Sequence, residues 1–303
     1  FDEFLRQWLR FDRVLGTVRD RRLYPHFNPE LAQAMTEETR LLAQHLVWEE
    51  KNFLDIYRAR YSFLNTDLAL LYGVPPPEQE FGRVDFPAGF LRAGLPGHAS
   101  FLTLTSKPGD TSPTARGLFI REQLLCQHVP DPPPGVDSSL PPVSAAKPQT
   151  NRERLGEHAA NAVCAGCHKL IDPIGFGLEQ FDAIGRFREK LKLEFLATRG
   201  QERRAPKNHP PVELDFDTQG SIAGLPDADF TNPVELGEKL AASRQCQECI
   251  VRQYFRYAFG RKETAADREL IGRLTESFGR SGFRLKELMI QLAASDLFRT
   301  TGR

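Results

Sequence analysis

Net charge of either sign, long apolar runs and most catalytic signatures are missing from this 303-residue chain. Lys and Arg number 40 and Asp and Glu also number 40, so no bulk field draws it to nucleic acid or to an anionic membrane. No apolar run approaches the roughly 18 residues needed to cross a bilayer. There is no Gly-x-Ser-x-Gly elbow, no HExxH helix and no phosphate-cradling glycine loop, which leaves serine hydrolysis, zinc proteolysis and nucleotide chemistry without a local signature. No repeat of fixed period appears, so a solenoid is excluded. A signal peptide is also lacking. The chain opens at Phe1 inside FDEFLRQWLRF, already an amphipathic helical pattern, which reads as a mature or proteolysed fragment, so the missing leader says nothing about compartment.

What is present is mostly helical periodicity, and the expected fold class is mainly α. Pro29-Glu30 opens a helix through LAQAMTEETRLLAQHLVWEE, and FLNTDLALLYG reads as a second helix stopped by Gly73 and Pro75–Pro77. Alternation at FLTLT (101–105) predicts a short strand. Ser112-Pro113 is a helix start, with a capping hydroxyl before a proline suited to the first turn. The prolines of VPDPPPGVDSSLPPV force an extended linker or strap. A helix from Thr150 runs toward Cys164, and Asn232-Pro233 begins a section of about four helices. The expected units are 1–78, a second from 79 to 190 containing the strap (129–149) and the segment 150–190, an irregular link at 191–231 with a solvated basic stretch RGQERRAPK, and a helical unit at 232–303.

Five cysteines are an odd number. Two of them lie in Cys164-Ala-Gly-Cys167-His168, and Cys-x-x-Cys-His is the attachment signature of a c-type haem. The spacing has a geometric reason: thiols one helical turn apart reach the two vinyl groups of one haem, and the adjacent imidazole becomes the iron's proximal ligand. The segment after it, KLIDPIGFG, is apolar and glycine-broken. The Pro173 carbonyl is placed to accept the Nδ1 proton of His168 and fix its tautomer. Phe176, Leu178 and Phe181 are candidate porphyrin walls, and Arg186 and Arg188 candidate partners for the propionates. Two other readings share the bare Cys-x-x-Cys. Cys246-Gln-Glu-Cys249 could complete a four-cysteine zinc site. A redox pair is the other, although no βαβ pattern surrounds the motif.

The run RERLGEHAANAVCAGCHKLIDPIGFGLEQFDAIGRFR closely resembles a family of secreted bacterial, planctomycete-type c-type cytochromes whose chains carry three consecutive conserved domains of unknown function. LYPHFNPELAQAMTEETRLLAQHLVWEEKNFLDIYRARYSFLNTDLALLYGVP is similar to the end of the first, and GFLRAGLPGHASFLTLTSKPGDTSPTARGLFIREQLLCQHVPDPPPGVD to the start of the second. DADFTNPVELGEKLAAS and CIVRQYFRYAFGRKET resemble the third. The likeness implies the C-terminal part of such a chain, one covalent haem c, a periplasmic or extracellular location and a redox role. It implies no particular reaction or partner. The stretch Leu191–Pro211 departs from the family in being longer and more basic.

Cys126 and Cys249 both fall in motifs resembling the family's, LLCQ and CIVRQ, which implies a bridge between them and leaves Cys246 free. A bridge between the neighbouring Cys246 and Cys249 is the alternative. For the sixth iron ligand, Met35 and Met289 both sit on amphipathic helix patterns and read as core residues. His98 and His158 are the histidine candidates, His158 needing a helix break near Asn161 to reach the far face or else bonding a propionate. His209 lies in a loop, and a vacant sixth position is the remaining case. The expected function is electron transfer as an extracytoplasmic monohaem cytochrome docked to a redox partner or a larger membrane-associated complex. The alternatives are a peroxidase-like haem enzyme with an open iron position and a structural subunit whose haem is a folding staple.

Overall fold

A computed structural model describes residues 1–131, 140, 143, 144, 146–193 and 210–300. It is mainly α. The N-terminal segment contains α1 (Asp2–Leu9), α2 (Pro29–Trp48), α3 (Asp55–Arg58), β1 (Tyr61–Leu64) and α4 (Thr66–Tyr72). Apolar residues at helical spacing turn Phe4, Leu5, Trp8 and Leu9 of α1 inward. Asn28 caps α2 through its side chain, with Pro29 in the first turn, and Gly73 ends α4 in the left-handed conformation at φ 73°. The expected helix at FLNTDLALLYG therefore begins later than its pattern suggested: Phe63 and Leu64 belong to β1, which pairs antiparallel with β2 (Gly82–Asp85).

The middle segment carries α5 (Gly94–Gly97), α6 (Ala99–Leu104), α7 (Pro113–Phe119), α8 (Asn151–His158) and α9 (Ala162–Phe176). FLTLT is not a strand. Its apolar–threonine alternation is overridden because α6 is buried on nearly all sides, and Thr105 satisfies its hydroxyl on the Phe101 carbonyl one turn back. Ser112 caps α7 as expected, and a π-helical turn at Ile120–Leu124 prolongs it. Two small hairpins follow, β3 (Lys190–Leu193) with β4 (Val212–Asp215) and β5 (Gly220–Ser221) with β6 (Asp229–Phe230). Most of the proline-rich strap and the basic stretch RGQERRAPK lie outside the described residues, as does His209. The C-terminal helices are α10 (Pro233–Ala242), α11 (Arg244–Phe259), α12 (Arg268–Arg280), α13 (Leu285–Ala294) and α14 (Asp296–Thr300).

One apolar cluster draws on all three segments, joining Phe4 and Trp8 to Leu102 and Ile120, and these to Ile174, Phe255 and Phe278. The Trp8 indole N–H donates to the Gln123 carbonyl at 2.8 Å, and the Phe4 ring meets Tyr254 edge-on at 5.1 Å. Full burial of each such side chain contributes about 1.5–3 kcal/mol. Cys126 and Cys249 form a disulfide across 123 residues of sequence, tying the end of the π turn to α11, as the resemblance implied. Cys246 is a free thiol in the core, and burial pushes its pKa up to about 12.

The closest packing is between α7 and α9. A Cβ on Gly117 would lie 1.8 Å from the Ile171 carbonyl oxygen, and one on Gly175 would lie 2.0 Å from the Pro113 carbonyl oxygen. Both neighbours are backbone, so neither can turn aside. Gly117→Ala and Gly175→Ala are each expected to destabilise the fold by about 1–3 kcal/mol or more, read as lowered midpoints in thermal and urea denaturation. Replacing Cys126 and Cys249 with serine should cost about 2–4 kcal/mol by releasing a long loop in the unfolded chain. Reducing agent should then shift the wild-type midpoint but leave that of the double variant unchanged.

Candidate functional site

The Cys-x-x-Cys-His motif lies in the first half of α9, and the turn before it sets its direction. Thr150 and Glu153 form a reciprocal capping box that starts α8: the Thr150 backbone N–H donates to Glu153 Oε2 at 2.7 Å, and the Glu153 N–H donates to Thr150 Oγ1 at 3.3 Å. Asn151 fixes α8 to the rest of the segment by donating from Nδ2 to Thr111 Oγ1 (2.9 Å) and Glu179 Oε2 (3.1 Å). α8 ends at His158, and residues 159–161 turn the chain before α9. The break near Asn161 that His158 would need is therefore present. The Asn161 carbonyl accepts from the N–H groups of Cys164 (3.0 Å) and Ala165 (2.9 Å), opening α9.

That turn folds α8 back toward the motif. The His158 and His168 ring centroids are 4.9 Å apart and tilted by 68°. Both rings, together with Cys164 and Cys167, line one cavity of about 380 Å³. Leu118, Val129, Leu155 and Ile171 supply apolar wall, and Lys107 supplies positive charge among the described lining residues. Cys164 and Cys167 are half-buried and both are free thiols. The three motif side chains share the cavity because positions 164 and 168 are one helical turn apart, with 167 adjacent to both.

His168 is oriented from behind. Its Nδ1 lies 2.7 Å from Asp172 Oδ2, and the other oxygen of that buried carboxylate accepts from Thr114 Oγ1 of α7 at 2.7 Å. The expected Pro173 carbonyl does not have this role. α9 stays helical through Pro173, so residue 172, four positions on from His168, shares its face, whereas 173 does not. Asp172 and Thr114 escaped the sequence reading. The i, i+4 spacing of His168 and Asp172 was visible, but the partner on α7 was not.

Several other expected residues lie elsewhere. Phe176 is buried beneath the Arg152 guanidinium, 4.2 Å from its ring centroid, and Leu178 and Phe181 are core residues; none lines the cavity. Arg186 faces Asp182 at 3.6 Å, and Arg188 donates to the Glu179 carbonyl from Nη2 at 3.1 Å. Both arginines serve the turn after α9, away from the cavity wall. That turn is also pinned by the fully buried Arg116 of α7, which donates to the carbonyls of Leu178 (2.7 Å) and Phe181 (2.9 Å). Burial pulls the Arg116 pKa down to about 10.

His98 is also excluded from the cavity. It is fully buried in a separate polar cluster, with Nδ1 3.0 Å from Thr39 Oγ1 and Nε2 3.4 Å from Ser62 Oγ. Burial lowers its pKa against the opposing pull of Glu38, so the imidazole is kept neutral. Met35 is core, accepting from Thr103 Oγ1, and Met289 is half-buried on α13; neither lines the cavity. A four-cysteine zinc site does not form, because Cys249 is in the disulfide and Cys246 faces the core. Among the described residues no group of three or more His, Cys, Asp or Glu is arranged to hold a metal ion. No described helix is long and apolar enough to cross a membrane.

The thiols should therefore separate by reactivity. In protein made without haem attachment, an aromatic disulfide reagent at pH 8 is expected to titrate Cys164 and Cys167 promptly and Cys246 only after denaturation, counted by absorbance against a Cys246→Ala control. Because the Cys246 pKa is raised in the fold, from the model-compound range near 9 to about 12, its stabilising contribution is complete below about pH 9 and is lost as pH climbs toward 12.

Three family models match consecutive parts of the chain, each described as a protein of unknown function: DUF1592 over residues 1–74, DUF1588 over 92–191 and DUF1585 over 227–298. No curated protein and no solved structure matches it. The chain thus carries these three segments in the order that its resemblance implied, with the cysteine–histidine cavity motif in the middle one.

Proposed function

We propose that this chain is an extracytoplasmic monohaem c-type cytochrome that passes single electrons to and from a protein partner within a larger, membrane-associated redox assembly. The observation that carries the reading is the shared cavity of Cys164, Cys167 and His168, with both thiols free and the imidazole held by Asp172. This donor set suits a covalently held haem. Cys164 and Cys167 would hold the haem covalently through their sulfurs. His168 Nε2 remains available for the iron because Nδ1 is engaged. When bound, the haem supplies one-electron chemistry at its iron.

The chain's own residues would do the rest. Leu118, Leu155 and Ile171 would exclude water and lower the local dielectric, and Lys107, in a lining that also holds Glu122 and Asp131, would be the cation available to a propionate. His158, which shares the cavity wall with His168 at 4.9 Å between ring centroids, would be the candidate for a second nitrogen donor to the haem. The Cys126–Cys249 disulfide supports an oxidising compartment.

The test is an absorption spectrum of protein matured in a periplasm with haem-attachment machinery, oxidised and then dithionite-reduced, before and after acid–acetone extraction. A sharp reduced α-band that stays with the protein, and is lost in Cys164→Ala/Cys167→Ala, is expected. Colourless protein or extractable haem would overturn the reading. The oxidised wild type should be low-spin and indifferent to cyanide or azide, and His158→Ala should become high-spin and bind both. A high-spin wild type that binds azide would instead favour the peroxidase-like haem enzyme.

A further inference from the structure

We infer that Asp172, clamped by Thr114, is the positioning residue that makes His168 a strongly electron-donating ligand and so holds the iron's reduction potential low. This rests on the proposed haem reading and goes beyond it, since the motif alone says only that His168 ligates. A ligand histidine's electron donation is set by the group accepting its second ring proton, and an anionic acceptor gives the ring more imidazolate character than a neutral carbonyl does.

The geometry makes Asp172 a committed acceptor. Its side chain is 5% exposed and sits 2.7 Å from His168 Nδ1. Its second oxygen is occupied by the Thr114 hydroxyl, also at 2.7 Å, so the carboxylate cannot rotate away without abandoning a partner. Thr114 belongs to α7, one residue beyond Pro113, whose carbonyl touches α9 at Gly175. The distance between hydroxyl and carboxylate is therefore set by helix packing. No lysine or arginine ion pair to Asp172 occurs among the described residues, so its negative charge is directed mainly at the imidazole. Greater donation stabilises the ferric over the ferrous state, which lowers the potential.

The experiment is a spectroelectrochemical titration of the haem-loaded full chain, with Asp172→Asn, Asp172→Glu and Thr114→Val beside the wild type. Haem content and extraction resistance are measured on each sample. The midpoint potential should rise in Asp172→Asn, shift less in Thr114→Val, and return toward wild type in Asp172→Glu. The ring resonances of His168 in the ferric NMR spectrum should move in the same order, which simple loosening of the pocket would not produce. Equal potentials and unmoved resonances in Asp172→Asn and Thr114→Val, with haem attached in both, would overturn the inference while leaving the cytochrome reading intact. If Asp172→Asn does not fold, Thr114→Val alone decides, because it leaves the carboxylate in place and removes only the clamp. A wild type without covalent haem would fail the cytochrome reading itself, and this inference with it.

Discussion

Between α7 and α9 the backbones come so close that Gly117 and Gly175 have no room for a side chain. The two contacts are reciprocal: a glycine of α7 meets the Ile171 carbonyl of α9, and a glycine of α9 meets the Pro113 carbonyl of α7. Backbone against backbone leaves no rotamer with which to adjust, so the register between the helices is rigid. Thr114 faces Asp172 because of it, and Asp172 in turn aims His168. Arg116 also follows from this register, as it reaches past α9 to the carbonyls that shape the turn from Leu178 to Asp182.

A second layer of order comes from buried polar groups that find partners across sequence gaps. Thr111, Asn151 and Glu179 meet in one hub, which fixes the start of α8 and therefore the place where His158 ends up. An unpaired carboxylate there would be costly in a low dielectric, and the hydroxyl, amide and guanidinium around Glu179 remove that cost. The His98 cluster obeys the same rule at another site. There the imidazole is enclosed by Thr39, Ser62 and Glu38, and its chemistry is spent on internal hydrogen bonds. Two histidines of similar sequence promise thus have different fates, one at a cavity wall and one in the core.

The cavity combines apolar walls with few charges. On the cytochrome reading this suits an electron carrier, since a pocket with apolar walls and a fixed ligand changes little between oxidation states. The arginines Arg186 and Arg188 contribute to the turn after α9 instead of to the cavity, whose described charged lining is Lys107, Glu122 and Asp131, with Asp172 behind His168. A single apolar cluster spanning all three segments links the cavity helices to α1 and α11, and the disulfide adds a covalent tie along the same line.

Much of the fold could be read from local pattern. Proline, asparagine, serine and glycine at helix ends are local signals, so Asn28-Pro29, Gly73, Ser112-Pro113 and Asn232-Pro233 marked true boundaries. FLTLT misled because periodicity reports one exposed face, and α6 has almost none. Closeness in sequence to the motif makes Phe176, Phe181 and the two arginines candidates for the haem's surroundings, but Phe176 is buried beneath Arg152 and the turn after α9 carries the others away from the cavity. By itself the sequence determined the helical character, the grouping of the trio Cys164, Cys167 and His168 within about one helical turn, and the pairing of Cys126 with Cys249 through its resemblance. Only the tertiary structure decided which groups surround the trio, namely His158, Asp172 with Thr114, and Lys107. The reason is physical: motif spacing is a property of one helical turn, whereas a cavity is made where distant helices meet, and their register is set by contacts that leave no periodic trace in the chain.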